Sequence, residues 1–237
     1  MTVSLNAAEI VEMFVTDEEA PSSETVHAQA ISFYPQHWRK RWPEQLDIDS
    51  LSILSLDGLD GTGRRTISRS DLFGLGREVE TPLDALNFFV AVYSWGVGTF
   101  ARGVSRGLRV LEADDASDRI LGALETLRES DFDPRVGYSA FNNYDQAKLK
   151  HLGPAFFTKL LYFYSHDRLS RTTNTPLILD QYVAASLNWD SWGWGSAQYA
   201  GYIKLVDQVR SHLDADLPGD VVEYVLFKHG QRAHMRG

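Results

Sequence analysis

Residues 151–185 read HLGPAFFTKLLYFYSHDRLSRTTNTPLILDQYVAA, and the reading of this stretch decides the fold. Leu152-Gly153-Pro154 is a break that a helix can follow at once, because proline is tolerated at the first helical position. Ala155 to Tyr164 then form an almost wholly apolar run interrupted by Lys159. A loop over 171–176 leads into a second apolar run, Pro176-Leu177-Ile178-Leu179, and Asp180 opens a helix expected near 179–187. A lysine in so apolar a helix either snorkels to water or sits in a partly desolvated pocket. Desolvation favours the neutral amine, which is a nucleophile. Asp180 is either a plain N-cap or a carboxylate presented from a helix start beside Lys159.

Helical signals continue on both sides. Thr81 is an N-cap, Pro82 sits at the first helical position, Asp84 lies two residues on, and Gly96 closes the run. The residues between, Leu83, Leu86, Phe89, Val90, Val92 and Tyr93, make an apolar and central helix. Further helices are expected over 116–129, 142–150, 196–213 and 220–228. Residues 1–20 read as a short acidic helix capped by Asn6, with Ile10, Met13 and Phe14 on one face. Residues 21–80 hold Pro21, Pro35, Pro43 and five glycines, so loops and turns dominate; LSILSLDGLDG within them reads as a short strand or a helix end. The fold class is mainly α: a helical domain over 81–237, with a less regular N-terminal region over 1–80 packed on it.

Composition narrows the function. The chain has 237 residues, 43% hydrophobic and 23% charged, as in ordinary globular proteins. No apolar run is long enough to span a membrane. The acidic N-terminus does not read as a targeting peptide. With no cysteine, disulfides and thiolate chemistry are excluded and the cytoplasm is the expected compartment.

The net charge of −9 argues against nucleic acid, but its distribution does not. Residues 1–30 and 111–133 together carry −12, which leaves +3 for the rest. Arg39, Lys40 and Arg41 are consecutive. Arg102, Arg106 and Arg109 share one helical face, and six Lys/Arg fall between 135 and 175 against two acids. Charges beyond about 8 Å are screened at physiological salt, so a basic surface on an acidic chain can hold a phosphate backbone.

Other motifs read as structure. Gly58-Leu-Asp-Gly61-Thr-Gly63 has neither phosphate-loop spacing and is expected to be a turn. The Asp114/Asp115/Asp118 group suits a helix start. The seven histidines are scattered without a ligand-type pair, so no metal is expected, and His229 and His234 read as surface residues.

The ordered set VYSWGVGTFARG (92–103), LGPAFFTKLLYF (152–163), LILDQYVAASL (177–187) and YAGYIKLVDQVRSHL…VVEYVLFKHG (199–230) resembles the helix–hairpin–helix DNA glycosylases. More narrowly, it resembles bacterial proteins with the 8-oxoguanine DNA glycosylase (OGG) fold. The resemblance covers roughly residues 80–230; residues 1–80 match no family pattern. It implies an all-α glycosylase with lyase activity, the hairpin lysine at Lys159 and the catalytic aspartate at Asp180. The family hairpin is glycine-rich, whereas here only Gly153 precedes the lysine. The implied partner is damaged double-stranded DNA or a modified nucleotide, with no cofactor and no membrane. DNA contacts would come from Gly153, Lys148, Lys150, Arg168 and Arg171. Trp95, Tyr162, Trp192 and Trp194 are candidates to wedge or stack. The alternative is a nucleotide-binding or interaction protein with the same fold, serving partner proteins of a defence or repair operon without cutting DNA.

Overall fold

Capping at residues 6–9 sets the first helix. Asn6 Oδ1 accepts the Glu9 N–H at 3.1 Å and Glu9 Oε2 accepts the Asn6 N–H at 2.8 Å, satisfying two otherwise orphaned donors. The computed structural model describes residues 6–16, 21–143, 147–170 and 173–236. Helix α1 (Ala7–Thr16) buries Ile10, with Met13 and Phe14 against the same core. The region expected to be loops holds more order than its glycines and prolines suggest. It forms α2 (Ser23–His27), strand β1 (Ala30–Phe33), α3 (Pro35–Arg39), strand β2 (Arg65–Ser68) and α4 (Arg69–Arg77). The strands pair antiparallel, Ala30 opposite Ser68 and Phe33 opposite Arg65. The 51–61 stretch is a 3₁₀ turn at Ser52–Leu54 followed by a tight turn. Asp60 Oδ1 organises that turn by accepting the N–H groups of Thr62 and Arg64.

Helix α5 (Pro82–Val97) carries a capping box in which the Thr81 and Asp84 side chains each bond the other's backbone N–H. It buries every residue from Phe88 to Trp95 and packs against β1, α4 and the helices that follow. Gly96 does not end it; the helix continues to Val97 and Gly98 forms the C-cap. Gly96 is required for approach instead. A Cβ there would lie 2.9 Å from Phe156 Cε1 and 3.5 Å from Lys159 Cδ.

Next come α6 (Ala101–Val110), α7 (Ala116–Glu129) and α8 (Pro134–Asn142). Asp115 stands at the α7 N-cap without a side-chain capping bond and pairs with Arg119 at 2.8 Å instead. The helix expected over 142–150 is displaced: α8 precedes that stretch. Asp133 Oδ1 caps α8 through the Arg135 and Val136 N–H groups, and Pro134 fills the first position. The described part of 143–150 is turn and coil.

Four helices finish the chain: α9 (Pro154–Ser165), α10 (Gln181–Ser186), α11 (Ser196–Leu213) and α12 (Gly219–Arg236). The last runs well beyond 228 because its apolar face lies on α10 and α11. The chain is therefore mainly α, with twelve helices and one two-stranded sheet among the described residues. One hydrophobic cluster takes in Phe33, Trp38 and Leu72 from the N-terminal third together with α5, α9 and α11 residues. Among the described residues no helix is long and apolar enough to cross a membrane.

A close approach of α12 sets the position of α10. A Cβ on Gly230 of α12 would collide with the Tyr182 carbonyl of α10, and backbone cannot yield as a flexible side chain does. Gly230→Ala is expected to destabilise the protein by about 1–3 kcal/mol in denaturant unfolding. Gly201→Ala, on an open face of α11, is expected to be neutral or stabilising by up to about 1 kcal/mol.

Candidate active site

Helix α9 begins at the Leu152-Gly153-Pro154 break. The Gly153 carbonyl accepts the Phe156 and Phe157 N–H groups, and Pro154 takes the position that needs no donor. Thr158 then ties α9 to the segment after residue 175. Its Oγ1 donates to the Pro154 carbonyl at 2.7 Å and accepts the Leu179 N–H at 3.1 Å. Two buried tyrosines hold the same segment. Tyr199 Oη bonds both the N–H and the carbonyl of Leu177, and Tyr202 Oη donates to the Ile178 carbonyl. Non-helical backbone buried in an apolar setting must find such partners.

These restraints deliver Asp180 to the start of α10. Its two oxygens divide the work. Oδ1 accepts the N–H groups of Tyr182 and Val183 at 3.0 and 3.2 Å. Oδ2 lies 3.2 Å from Lys159 Nζ, which also donates to the Ala155 carbonyl at 2.8 Å. The side chains are 7% and 13% exposed, so the lysine does not snorkel to open water. The cap and the lysine partner, alternatives in sequence, are one residue doing both.

Behind the pair lies a buried ionic cluster with no sequence signature. Arg69 Nη1 meets Glu223 Oε2 at 2.8 Å, each residue 1% exposed. The guanidinium also donates to Gln29 Oε1 and Tyr162 Oη and lies over the Trp95 ring. Burial pushes the Glu223 carboxyl above its ordinary value, and Arg69 opposes that shift. Three residues along α12, Asp220 Oδ2 accepts from Tyr162 Oη at 2.8 Å and lies 2.9 and 3.5 Å from the Nε2 atoms of His27 and His166. Burial alone would raise the Asp220 pKa. Its bonds to His166, His27 and Tyr162 hold it well below the usual carboxylate range. Burial would likewise lower His166, but its bonds to Asp220 and Asp167 leave it raised. These three groups could hold a metal. Sequence reasoning missed them because His27 and Asp220 stand 193 positions apart.

The remaining candidates are dispersed. Lys150 is exposed and Lys148 half-buried. Arg168 Nη2 donates to the Arg77 carbonyl at 2.8 Å and to the Gly76 carbonyl at 3.3 Å, with the guanidinium over Tyr164. It thus braces the end of α4 and also lies 3.6 Å from Glu80 Oε1. Arg171 lies outside the described residues. Trp95, Trp194 and Tyr162 are buried, whereas Trp192 is 80% exposed. His229 is half-buried, 3.3 Å from Ser186 Oγ, rather than a surface residue; His234 is exposed. Arg102, Arg106 and Arg109 line the solvent face of α6. Arg41 reaches α6 through Ser105 Oγ at 3.0 Å and shares a hollow with Arg109. Two basic groups remote in sequence thus lie on one face. Phe100, 76% exposed at the start of α6, was missed because a lone exposed aromatic has no pattern.

No curated protein and no solved structure matches the chain. A protein-family model does, and it begins well before residue 80, taking in the sheet and α4 as well as the helices that carry Lys159 and Asp180. Because that match spans residues 24–227, the chain belongs to the family described as "Putative 8-oxoguanine DNA glycosylase OGG-like protein".

Proposed function

We propose that the chain excises a damaged, 8-oxoguanine-like base from double-stranded DNA and then cleaves the strand as a β-lyase. The observation that carries this reading is the contact between Lys159 Nζ, in the middle of α9, and Asp180 Oδ2, at the N-cap of α10, largely shut off from water. In this mechanism Asp180 Oδ2 takes a proton from the lysine ammonium. The neutral amine attacks C1′ as the glycosidic bond breaks, and the bonding electrons leave with the base, which takes up a proton. The sugar ring then opens to a Schiff base on Nζ. Loss of the C2′ proton expels the 3′ phosphate. Asp180 would pass the proton taken from the lysine to the departing base and, a carboxylate again, stabilise positive charge on the sugar.

The base must first leave the stack, at a cost of about a few kcal/mol that damage reduces. Trp192 and Phe100 are the exposed aromatics suited to fill the gap. Arg102, Arg106, Arg109 and Lys150, with the Gly153 turn, would hold the backbone. Residues 81–237 would carry the helix–hairpin–helix unit, with 1–80 packed on it. A cysteine-free chain of this chemistry suits the reducing cytoplasm, in bacteria. One observation favours the alternative of nucleotide or operon-partner binding without cleavage: Lys159 is 6% exposed and already satisfied.

Borohydride trapping on duplexes carrying 8-oxoguanine separates the two readings. The wild-type chain is expected to form a covalent adduct. Lys159→Gln should abolish the adduct while retaining DNA affinity. Asp180→Asn should keep the helix cap and slow base release by roughly 10²–10⁴-fold. No adduct with wild type, together with retained nucleotide binding, selects the alternative.

Affinity for the duplex is expected to fall steeply between about 50 and 200 mM salt. Arg106→Gln should lower the slope of log K against log salt by about 1 without changing base preference. Fluorescence titration measures both, and an unchanged slope removes α6 from the DNA surface.

A further inference from the structure

We propose that His27, His166 and Asp220 form a site for one divalent transition-metal ion of the zinc type, distinct from the Lys159–Asp180 pair. Each residue can offer one ligand atom, and the three atoms lie within 4.8 Å of one another. Zinc–ligand bonds of about 2.0–2.1 Å in tetrahedral geometry place ligand atoms roughly 3.3 Å apart. The observed separations from Asp220 Oδ2, 2.9 Å to His27 Nε2 and 3.5 Å to His166 Nε2, straddle that value.

A second observation points to a ligand. Asp220 is 3% exposed, yet its Oδ1 has no hydrogen-bond partner among the described residues. A buried carboxylate oxygen left without a donor is costly, and a cation held by both oxygens of the carboxylate would satisfy Oδ1 while keeping the Oδ2 distances to the two imidazoles. Asp220 also lines a cavity of about 250 Å³ together with His27, His166 and Ser165. Three protein ligands beside such a space leave a coordination position open to water or another small ligand.

The surroundings of His166 resemble those of a ligating histidine. Its Nδ1 lies 2.9 Å from Asp167 Oδ1, and its ring is stacked on Phe73 at 3.6 Å. Metal-bound imidazoles are commonly fixed through the second nitrogen by a carboxylate in this way. Tyr162 Oη donates to Asp220 Oδ2 at 2.8 Å and so orients the carboxylate. The donor set selects the metal class. Two imidazoles and one carboxylate suit zinc, cobalt, nickel or iron(II), whereas magnesium and calcium favour all-oxygen shells. Binding uses the Nε2 lone pair of both rings, so a proton now held between Nε2 and Asp220 is released to solvent.

The test uses the full chain, freed of metal with a chelator and titrated with Zn²⁺ by calorimetry and with Co²⁺ by visible absorption. One Zn²⁺ per chain, ligand-field bands with Co²⁺ and a raised Tm are expected. His27→Gln and His166→Gln should each weaken Zn²⁺ affinity at least 100-fold. Asp167→Asn, which only orients His166, should weaken it about 10- to 100-fold. His234→Gln, at an exposed histidine outside the cluster, should change nothing. His27 lies on the short α2 and is partly exposed, so its variant keeps the test readable if His166→Gln folds poorly. Absence of Zn²⁺ binding overturns the proposal. So does binding that survives the His27 and His166 changes, or Mg²⁺ bound as tightly as Zn²⁺. The borohydride adduct at Lys159 does not involve these ligands, so failure of one reading leaves the other standing.

Discussion

A guanidinium and a carboxylate that are each 1% exposed constrain everything around them. Removing two such charges from water costs several kcal/mol per ion, so the fold must surround Arg69 and Glu223 with partners. It does so for Arg69 on several sides, whereas Glu223 meets Arg69 through Oε2 and its Oε1 has no hydrogen-bond partner among the described residues. Arg69 opens α4, Glu223 belongs to α12, Gln29 precedes β1, Tyr162 lies on α9 and Trp95 on α5. One side chain therefore registers five segments drawn from both ends of the chain. The register reaches the candidate active site through α9. Lys159 and Tyr162 are i, i+3 neighbours on one side of that helix, so the rotation that seats Tyr162 against Arg69 also turns Lys159 toward Asp180. The N-terminal third thus takes part in placing the lysine although it contributes no atom to the pair.

Asp180 shows how a structural role and a chemical role can share one side chain. A carboxylate has two oxygens, and a helix cap needs only one. Because Oδ1 is fixed by two backbone N–H groups, Oδ2 cannot rotate freely. Its 3.2 Å contact with Lys159 is therefore preorganised by the cap. The Thr158 and tyrosine bonds to the 177–179 backbone fix the Cα of Asp180 in turn. This ordering of restraints, from backbone to cap to lysine, suits a group that must meet a reacting atom within a narrow tolerance.

Legibility in the sequence followed the range of the interaction. Helices α5, α7 and α11 were readable because their apolar periods lie within the helix itself, and α5 adds its own capping box. The 142–150 expectation failed where a local signal was overlooked: Asp133-Pro134 caps and starts α8. Gly96 misled because its purpose, room for Phe156 and Lys159, is tertiary. The pair itself was legible, since an apolar helix broken by one lysine and an apolar run ending in aspartate are both local patterns. Arg69–Glu223 and His27–His166–Asp220 were not. Their members come together only when α2, α4, α9 and α12 pack, and no spacing rule reaches across such separations. Arg168, a cation within a basic stretch, has contacts that no spacing rule shows: it donates to backbone carbonyls at the end of α4.

Tyr162 stands between the two ionic clusters and explains how they coexist. Its hydroxyl accepts from Arg69 at 3.2 Å and donates to Asp220 at 2.8 Å. Burial drives the phenol pKa well above its ordinary value, and Arg69 only partly opposes this. The hydroxyl therefore keeps its proton, and a neutral group separates Glu223 with its arginine from Asp220 with its histidines. Two carboxylates three residues apart on α12 would otherwise face each other in a medium of low dielectric, where like charges repel strongly. Arginine answers one and imidazole the other, with the phenol polarised between them. That division leaves the Asp220 side open to a cavity and a cation, while the Glu223 side stays closed and acts only to hold the helices that present Lys159.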